Sequence, residues 1–284
     1  ERDRRREQRV RERKHQDEKI ARLEEGIRRF KGSTEKMAKR ARSWETRVAK
    51  LKDARTEVGA KAKRVSLKFP QPTPSGKTPL KAHGLAKAFD DNVVFVDVDV
   101  DIDRGERMII RGLNGAGKTT LLRILAGVET ADLGEVALGH AVSVGYYAQE
   151  HEQIVRGTSV LDHMRAVSNE PDSMLRTLLG HFLLADKIEQ DAGTLSGGEK
   201  TKLALAQIVV GRHNVLLLDE PTNNLDPQAK EALLDALMMY EGTLILVSHD
   251  AEFVEDIVPD RAILMPDGAT NYYDHSMLEL VSLA

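Results

Sequence analysis

The chain has 284 residues, 42 Lys and Arg against 45 Asp and Glu, and no cysteine, which excludes disulfides, thiolate zinc sites and cysteine nucleophiles. No apolar run approaches the roughly 20 residues of a membrane-spanning helix, and no signal-peptide pattern stands at the N-terminus. The net charge of −3 conceals an asymmetry: residues 1–70 carry 25 basic and 12 acidic side chains, a net of +13, and residues 71–284 carry 17 and 33, a net of −16. A basic arm on an acidic body suits contact with a phosphate backbone, and a solvated coiled coil rich in arginine gives the same balance.

The chain opens at Glu1, without methionine and inside a run already patterned as helix. The expectation is the C-terminal part of a longer polypeptide. Ile20, Leu23, Ile27 and Phe30 step along one helical face, and Met37, Ala41, Trp44, Val48 and Leu51 along another. Gly32-Ser33 interrupts them as a helix stop and a possible N-cap. Two narrow apolar seams stabilise each other if they pack as an antiparallel hairpin over residues 1–67 with its tip at Lys31–Thr34. One continuous helix is the rival, because Phe30, Met37, Trp44 and Leu51 keep heptad register across the break.

"KFPQPTPSGKTP" (Lys68–Pro79) has four prolines and a glycine in twelve residues, so residues 68–79 are expected to form an extended connector. From Leu80 to the end, short β-patterned runs alternate with helical ones. In "VFVDVDVDID", Val96, Val98, Val100 and Ile102 are predicted on one face and Asp97, Asp99, Asp101 and Asp103 on the other. The carboxylates fit a solvated strand face or a metal site. "RMII", "NVLLLD", "TLILVSH" and "RAILM" read as buried strands near helices. This alternation predicts an α/β fold, a mostly parallel sheet with helices on both faces.

"GLNGAGKTT" (Gly112–Thr120) fits a phosphate-binding loop between a strand and a helix. Its glycines let backbone N–H groups turn inward, Lys118 reaches phosphate oxygens, and the Thr119 hydroxyl can ligate Mg²⁺. Asn114, Gly115, Ala116, Gly117 and Thr120 complete the loop. "NVLLLDEP" delivers Asp219 to the end of a buried strand, where it can hold the Mg²⁺ hydration shell. Glu220 follows on the opposite side of the pleat, placed to polarise a water for attack on the γ-phosphate. "LSGGE" (Leu195, Ser196, Gly197, Gly198, Glu199) leads into a helix, where Ser196 is either an ordinary N-cap or part of an anion cradle.

In order with these motifs come Gln149 in "GYYAQE", Asp226 closing "NNLD", and His249 in "LVSHD". The set resembles the nucleotide-binding domain of ATP-binding-cassette proteins over about Leu80–Gly268. That resemblance implies a P-loop domain with antiparallel β and helical subdomains, ATP and Mg²⁺ as cofactors, and ATP hydrolysis. Glu220, Gln149 and His249 would be catalytic, with Thr119, Gln149 and Asp219 around the metal. Phe89 in "LAKAFDD" matches the aromatic that stacks on adenine, though its position suits a core phenylalanine too. Each ATP of such proteins lies between the phosphate loop of one domain and the signature of another. Ser196 and Gly198 would therefore serve a nucleotide held by a second cassette, and Leu195, Gly197, Glu199 and Asp226 would be nucleotide-binding residues with them.

"LSGGEKTKLALA", "LLLDEPTNNLD" and "GTLILVSHD" are close to the wording of the ABC-F class, in which a helical hairpin precedes the second cassette on one polypeptide. The resemblance implies a cytoplasmic protein that binds the ribosome at the tRNA exit site, facing large-subunit rRNA and P-site tRNA. It acts there on translation or protects against ribosome-targeting antibiotics. Arg28, Arg29, Lys31, Lys36, Lys39, Arg40 and Arg42 would contact phosphates, and Trp44 would stack on a base or pack in the hairpin. Asn224 and Ala251 depart from the histidine and arginine common in that class. The rival readings are a transporter's ATPase subunit and an adaptor switched by ATP binding alone.

Overall fold

The structure is a computed structural model that describes residues 71–148 and 154–274, and from the N-terminal region residues 20, 21, 23–28, 41, 42, 44–49 and 52. The chain divides into two compact units, Glu1–Lys68 and Phe69–Ala284. Among the described residues no helix is long and apolar enough to cross a membrane.

Among the described residues of the first unit, 20, 21 and 23–28 are helical, as are 41, 42, 44–49 and 52. Ile20, Leu23, Ala41, Trp44 and Val48 are buried, and Trp44 has no exposed surface. Gly26 lies so close to the indole that a β-carbon there would come 2.5 Å from Trp44 Cζ3. Lys52 Nζ pairs with Glu24 Oε1 at 2.6 Å. In one continuous helix, residues 26 and 44 would stand about 27 Å apart. Contacts that pair 26 with 44 and 24 with 52 put the described helical residues side by side, in the antiparallel sense that the expected hairpin requires. The indole packs against the facing helix instead of standing free for a base. Phe30, Met37, Leu51 and the tip at 31–34 lie outside the described residues.

The second unit is built on two sheets. Strands β1 (Leu80–Phe89), β2 (Asn92–Ile102) and β4 (Leu133–Leu138) form an antiparallel sheet in the order β2-β1-β4. Strands β3 (Arg107–Arg111), β5 (Val144–Tyr147), β6 (Val215–Asp219), β7 (Thr243–Val247), β8 (Arg261–Leu264) and β9 (Ala269–Tyr272) form the other, in the order β5-β6-β7-β3-β8-β9. Its first five strands are parallel and β9 is an antiparallel edge. The helices are α1 (Lys118–Leu125), α2 (Val160–Val167), α3 (Asp172–His181), α4 (Gly197–Val210), α5 (Pro227–Met239) and α6 (Ala251–Ile257).

The three central strands are buried at every position, as expected of apolar runs covered on both faces. One continuous core joins Leu85, Phe95, Val98 and Ile102 of the small sheet to Leu121 and Leu122 of α1 and to Ile110, Leu217 and Ile245 of the large one. Two arginines of β3, Arg107 and Arg111, lie buried in this layer. The Arg107 guanidinium donates to the carbonyls of Ile257, Leu237 and Tyr240 at 2.8, 2.8 and 3.3 Å, closing the C-terminal ends of α5 and α6.

The alternation read in β2 holds from Val98 to Ile102 and fails before it. Val96 is exposed and Phe95 is buried in its place. The register slips between Leu85 and Lys87 of β1, and Asp97 takes a left-handed φ of 58° opposite the slip. A bulge there turns the side chains through half a period. Asp99, one of the carboxylates on that face, accepts the Gly84 amide at 2.7 Å, at a second slip of β1 between Ala82 and Leu85.

Residues 71–79 have no regular structure but are bonded to the second unit. Gln71 Nε2 donates to Met239 O, Asn214 Nδ2 to Thr73 O, and Gly76 N to His140 O, at 3.1, 3.0 and 3.1 Å.

Candidate functional site

Strand β3 runs into the loop 112–117, and α1 begins at Lys118. Gly117 caps this helix at φ 84°, and a β-carbon there would fall 2.5 Å from Val94 Cγ1 and 2.9 Å from Phe95 Cδ1. Both the dihedral and the crowding demand glycine. The helix N-terminus therefore opens where β3 ends, with its amides and dipole facing the loop. Lys118 folds back over the loop and donates to the carbonyls of Gly112 and Leu113 at 2.9 and 2.8 Å. Burial lowers its pKa, against the pull of Glu220 and Asp219.

Asp219 ends β6, so the parallel pairing with β5 and β7 fixes its position. Burial raises its pKa, while a hydrogen bond from the Thr119 hydroxyl and the charge of Lys118 oppose the rise. Glu220 stands at φ 47°, a left-handed value uncommon for a side chain of this size. Its amide donates to Val247 O at 2.9 Å. Its carboxylate lies against His249, whose amide donates to Glu220 Oε2 at 3.2 Å. Burial also pushes Glu220 above the usual carboxylate range. His249 Nε2 approaches Glu220 Oε1 to 3.4 Å without hydrogen-bond geometry.

Two buried acceptors in this group, Asp219 Oδ1 and Glu220 Oε1, have no hydrogen-bond partner. Buried carboxylate oxygens are normally satisfied, so the pair marks a place for a cation or an ordered water. Thr119 and Asp219 together offer a hydroxyl and a carboxylate oxygen beside an anion-binding loop. That hard, sparse donor set suits Mg²⁺, which keeps most of its own water and takes substrate phosphates. The residues therefore fit the metal.

These groups open onto one cleft of about 520 Å³. Of the residues expected at the nucleotide, Phe89, Asn114, Gly115, Gly117, Lys118, Thr119, Thr120, Asp219, Glu220 and His249 line it. Ala116 packs on the core beneath the loop. Phe89 is 47% exposed, which separates it from the core phenylalanine that its position also allowed. Val94, Asn223 and Val247 line the cleft as well. Sequence reasoning passed over them because each reads as an ordinary strand or turn residue.

Leu195, Ser196, Gly197, Gly198, Glu199 and Asp226 do not line this cleft. Ser196 and Glu199 form a reciprocal capping box at the head of α4, the amide of each donating to the side chain of the other. Asp226 caps α5 by accepting from the amides of Gln228 and Ala229. Gly198 abuts the loop between β6 and α5: a β-carbon would stand 3.0 Å from Asn224 O. Arg28 and Arg42 are exposed on the first unit. Gln149, Arg29, Lys31, Lys36, Lys39 and Arg40 lie outside the described residues.

Residues 95–223 match the family model described as ABC transporter. The chain is 34% identical over 267 residues to "Probable ATP-binding protein YbiT" of Escherichia coli O157:H7, covering 90% of this chain and 49% of that protein. It is 35% identical over 239 residues to "ABC transporter F family member 5" of Arabidopsis thaliana, covering 82% of this chain and 34% of the relative. The chain thus spans half or less of the length of these relatives. Among solved structures, "Structure of ATP binding subunit of ABC transporter" superposes with a TM-score of 0.61 at 22% identity, over 72% of this chain and 93% of that one. This likeness concerns the fold.

Proposed function

We propose that this chain, a member of the ABC-F family of ATP-binding-cassette proteins, binds and hydrolyses ATP in the cleft between Phe89 and His249 as one half of a two-cassette clamp. The observation that carries this reading is the pair of unbonded buried oxygens, Asp219 Oδ1 and Glu220 Oε1, facing a phosphate loop.

Lys118 exchanges its bonds to Gly112 and Leu113 for phosphate oxygens, and the amides of Gly115 to Thr119 cradle the chain of phosphates. Phe89 takes the adenine on its exposed ring. Thr119 and Asp219, with Gln149, would hold Mg²⁺, which when bound neutralises charge on the β- and γ-phosphates. Glu220 orients a water for in-line attack and accepts its proton. A carboxylate raised by burial toward neutral pH is better matched to that task than an exposed one. His249, on the same wall, donates to the γ-phosphate.

Ser196 and Gly198 lie outside this cleft and serve a nucleotide held by a second cassette, which in turn supplies its own signature here. ATP then closes the pair, and hydrolysis opens it. The chain acts in the cytoplasm on the ribosome near the tRNA exit site. The basic arm reaches rRNA and P-site tRNA through Arg28, Arg29, Lys31, Lys36, Lys39, Arg40 and Arg42, and closure affects translation or protects it from antibiotics. Family membership and the net of +13 on residues 1–70 support this part.

The test is co-sedimentation of Glu220→Gln protein with ribosomes in ATP, on the complete polypeptide, beside a version with Lys31, Lys36, Lys39 and Arg40 changed to glutamate. Pelleting that weakens with the altered tip is expected. No pelleting in either would sink the ribosome assignment and leave the ATPase reading to be judged by phosphate release.

A further inference from the structure

Phe89 does not stand alone at the mouth of the cleft. The ammonium of Lys87, two residues earlier on β1, sits over its ring 5.0 Å from the centroid. Lys87 is 7% exposed, unusual for a lysine, and its three donors are all engaged. They meet Thr130 O at 2.9 Å, Asp132 Oδ1 at 3.2 Å and Glu129 Oε1 at 3.1 Å. The second oxygen of Asp132 accepts the Ala88 amide at 2.7 Å, and the Asp132 amide returns to Ala86 O at 2.9 Å. The backbone on both sides of Lys87 is thereby fastened to the loop that follows α1. That loop leaves the same helix whose other end is the phosphate site.

The geometry points to Lys87 as a positioning residue for the base of the nucleotide, acting through Phe89 and held in place by Glu129 and Asp132. A cation over one face of an aromatic ring is attracted by its quadrupole. It fixes the ring plane and draws electron density from the far face, which lowers the repulsion that a stacked purine meets there. Phosphate and base recognition then share one support: α1 holds the first, and the loop leaving α1 holds the second. This rests on the reading of the cleft as an ATP site.

A double-mutant cycle on ATP affinity of this chain tests it, with Lys87→Met and Phe89→Leu made singly and together. Lys87→Met keeps most of the stem and removes the charge. It is expected to weaken ATP binding about three- to tenfold beside Phe89 and to have no effect beside Leu. Asp132→Asn, which keeps an acceptor for Ala88 while loosening the ammonium, should give a smaller loss with the same dependence on Phe89. It supplies the measurement if Lys87→Met does not fold. An equal loss in both backgrounds, or no loss beside Phe89, would overturn the assignment while ATP binding by the wild-type chain still stands. Wild-type protein that binds no ATP would overturn the site reading together with it.

Discussion

Lys202, buried in the first half of α4, meets Asp226, the cap of α5, at 2.5 Å between Nζ and Oδ2. The bond ties the helix headed by Ser196 to the loop that descends from Glu220. Asp226→Ala removes both the pair and the cap and strands a buried ammonium. The expected loss is about 1–3 kcal/mol in urea unfolding. Asp226→Asn keeps an oxygen for the Gln228 and Ala229 amides, so it should cost about 1 kcal/mol. Equal losses for the two would show that the cap contributes nothing, and an Asp226→Asn variant as stable as the wild type would show the same of the ion pair.

Asp219 and Glu220 both have pKa values raised by burial. At these two sites the folded chain then holds more protons than the unfolded one across the window above the ordinary carboxylate range. Their contribution to stability accordingly falls as pH rises through the raised values. Asp219→Asn and Glu220→Gln should each stabilise the nucleotide-free protein by about 1 kcal/mol at pH 7, and by little at a pH below the ordinary carboxylate range, where the wild-type groups carry their protons in both states. Melting temperatures at the two pH values decide it.

The same raised carboxylate predicts that phosphate release falls as pH drops through Glu220's range, at a midpoint above that of a free glutamate. Glu220→Gln should cut turnover about 10²–10⁴-fold with ATP affinity kept. A variant that loses affinity and turnover together would place Glu220 among the binding groups.

Arg107→Met would leave the last carbonyls of α5 and α6 without their shared donor. The expected cost is about 3 kcal/mol, seen as a lower urea midpoint. Strand β3 stays apolar enough to keep its place.

Trp44 is the chain's sole tryptophan, so its emission reports the arm alone. Gly26→Ala places a methyl 2.5 Å from the indole and should cost the arm about 1–3 kcal/mol. Red-shifted emission at lower urea than in the wild type is the expected result. An unchanged spectrum would deny the packing.

The parallel strands were legible because runs such as Val215–Leu218 have no polar residue to place outward, and the phosphate loop because its spacing has one mechanical use. Three things were not legible. The bulge at Asp97 depends on where β1 slips against β2, and a local alternation cannot register a partner's slip. Arg107 reads as a strand residue, because the helix ends it closes come 130 and 150 residues later. Lys87 looks like any surface lysine until residues 129–132 fold over it. Asp226 was read as a nucleotide-binding residue, and its local role, as a cap, was open to view in "LDPQ".

Glu220 follows a strand with neighbours on both sides, and its own amide is fastened to Val247 O. The carboxylate therefore has no hinge behind it, and its only freedom is side-chain rotation against His249. In the proposed clamp it would work as an anvil, with the timing of each turnover set by what arrives at the open wall of the cleft. Slow steps should then respond to changes on the arriving surface far more than to changes beneath the strand.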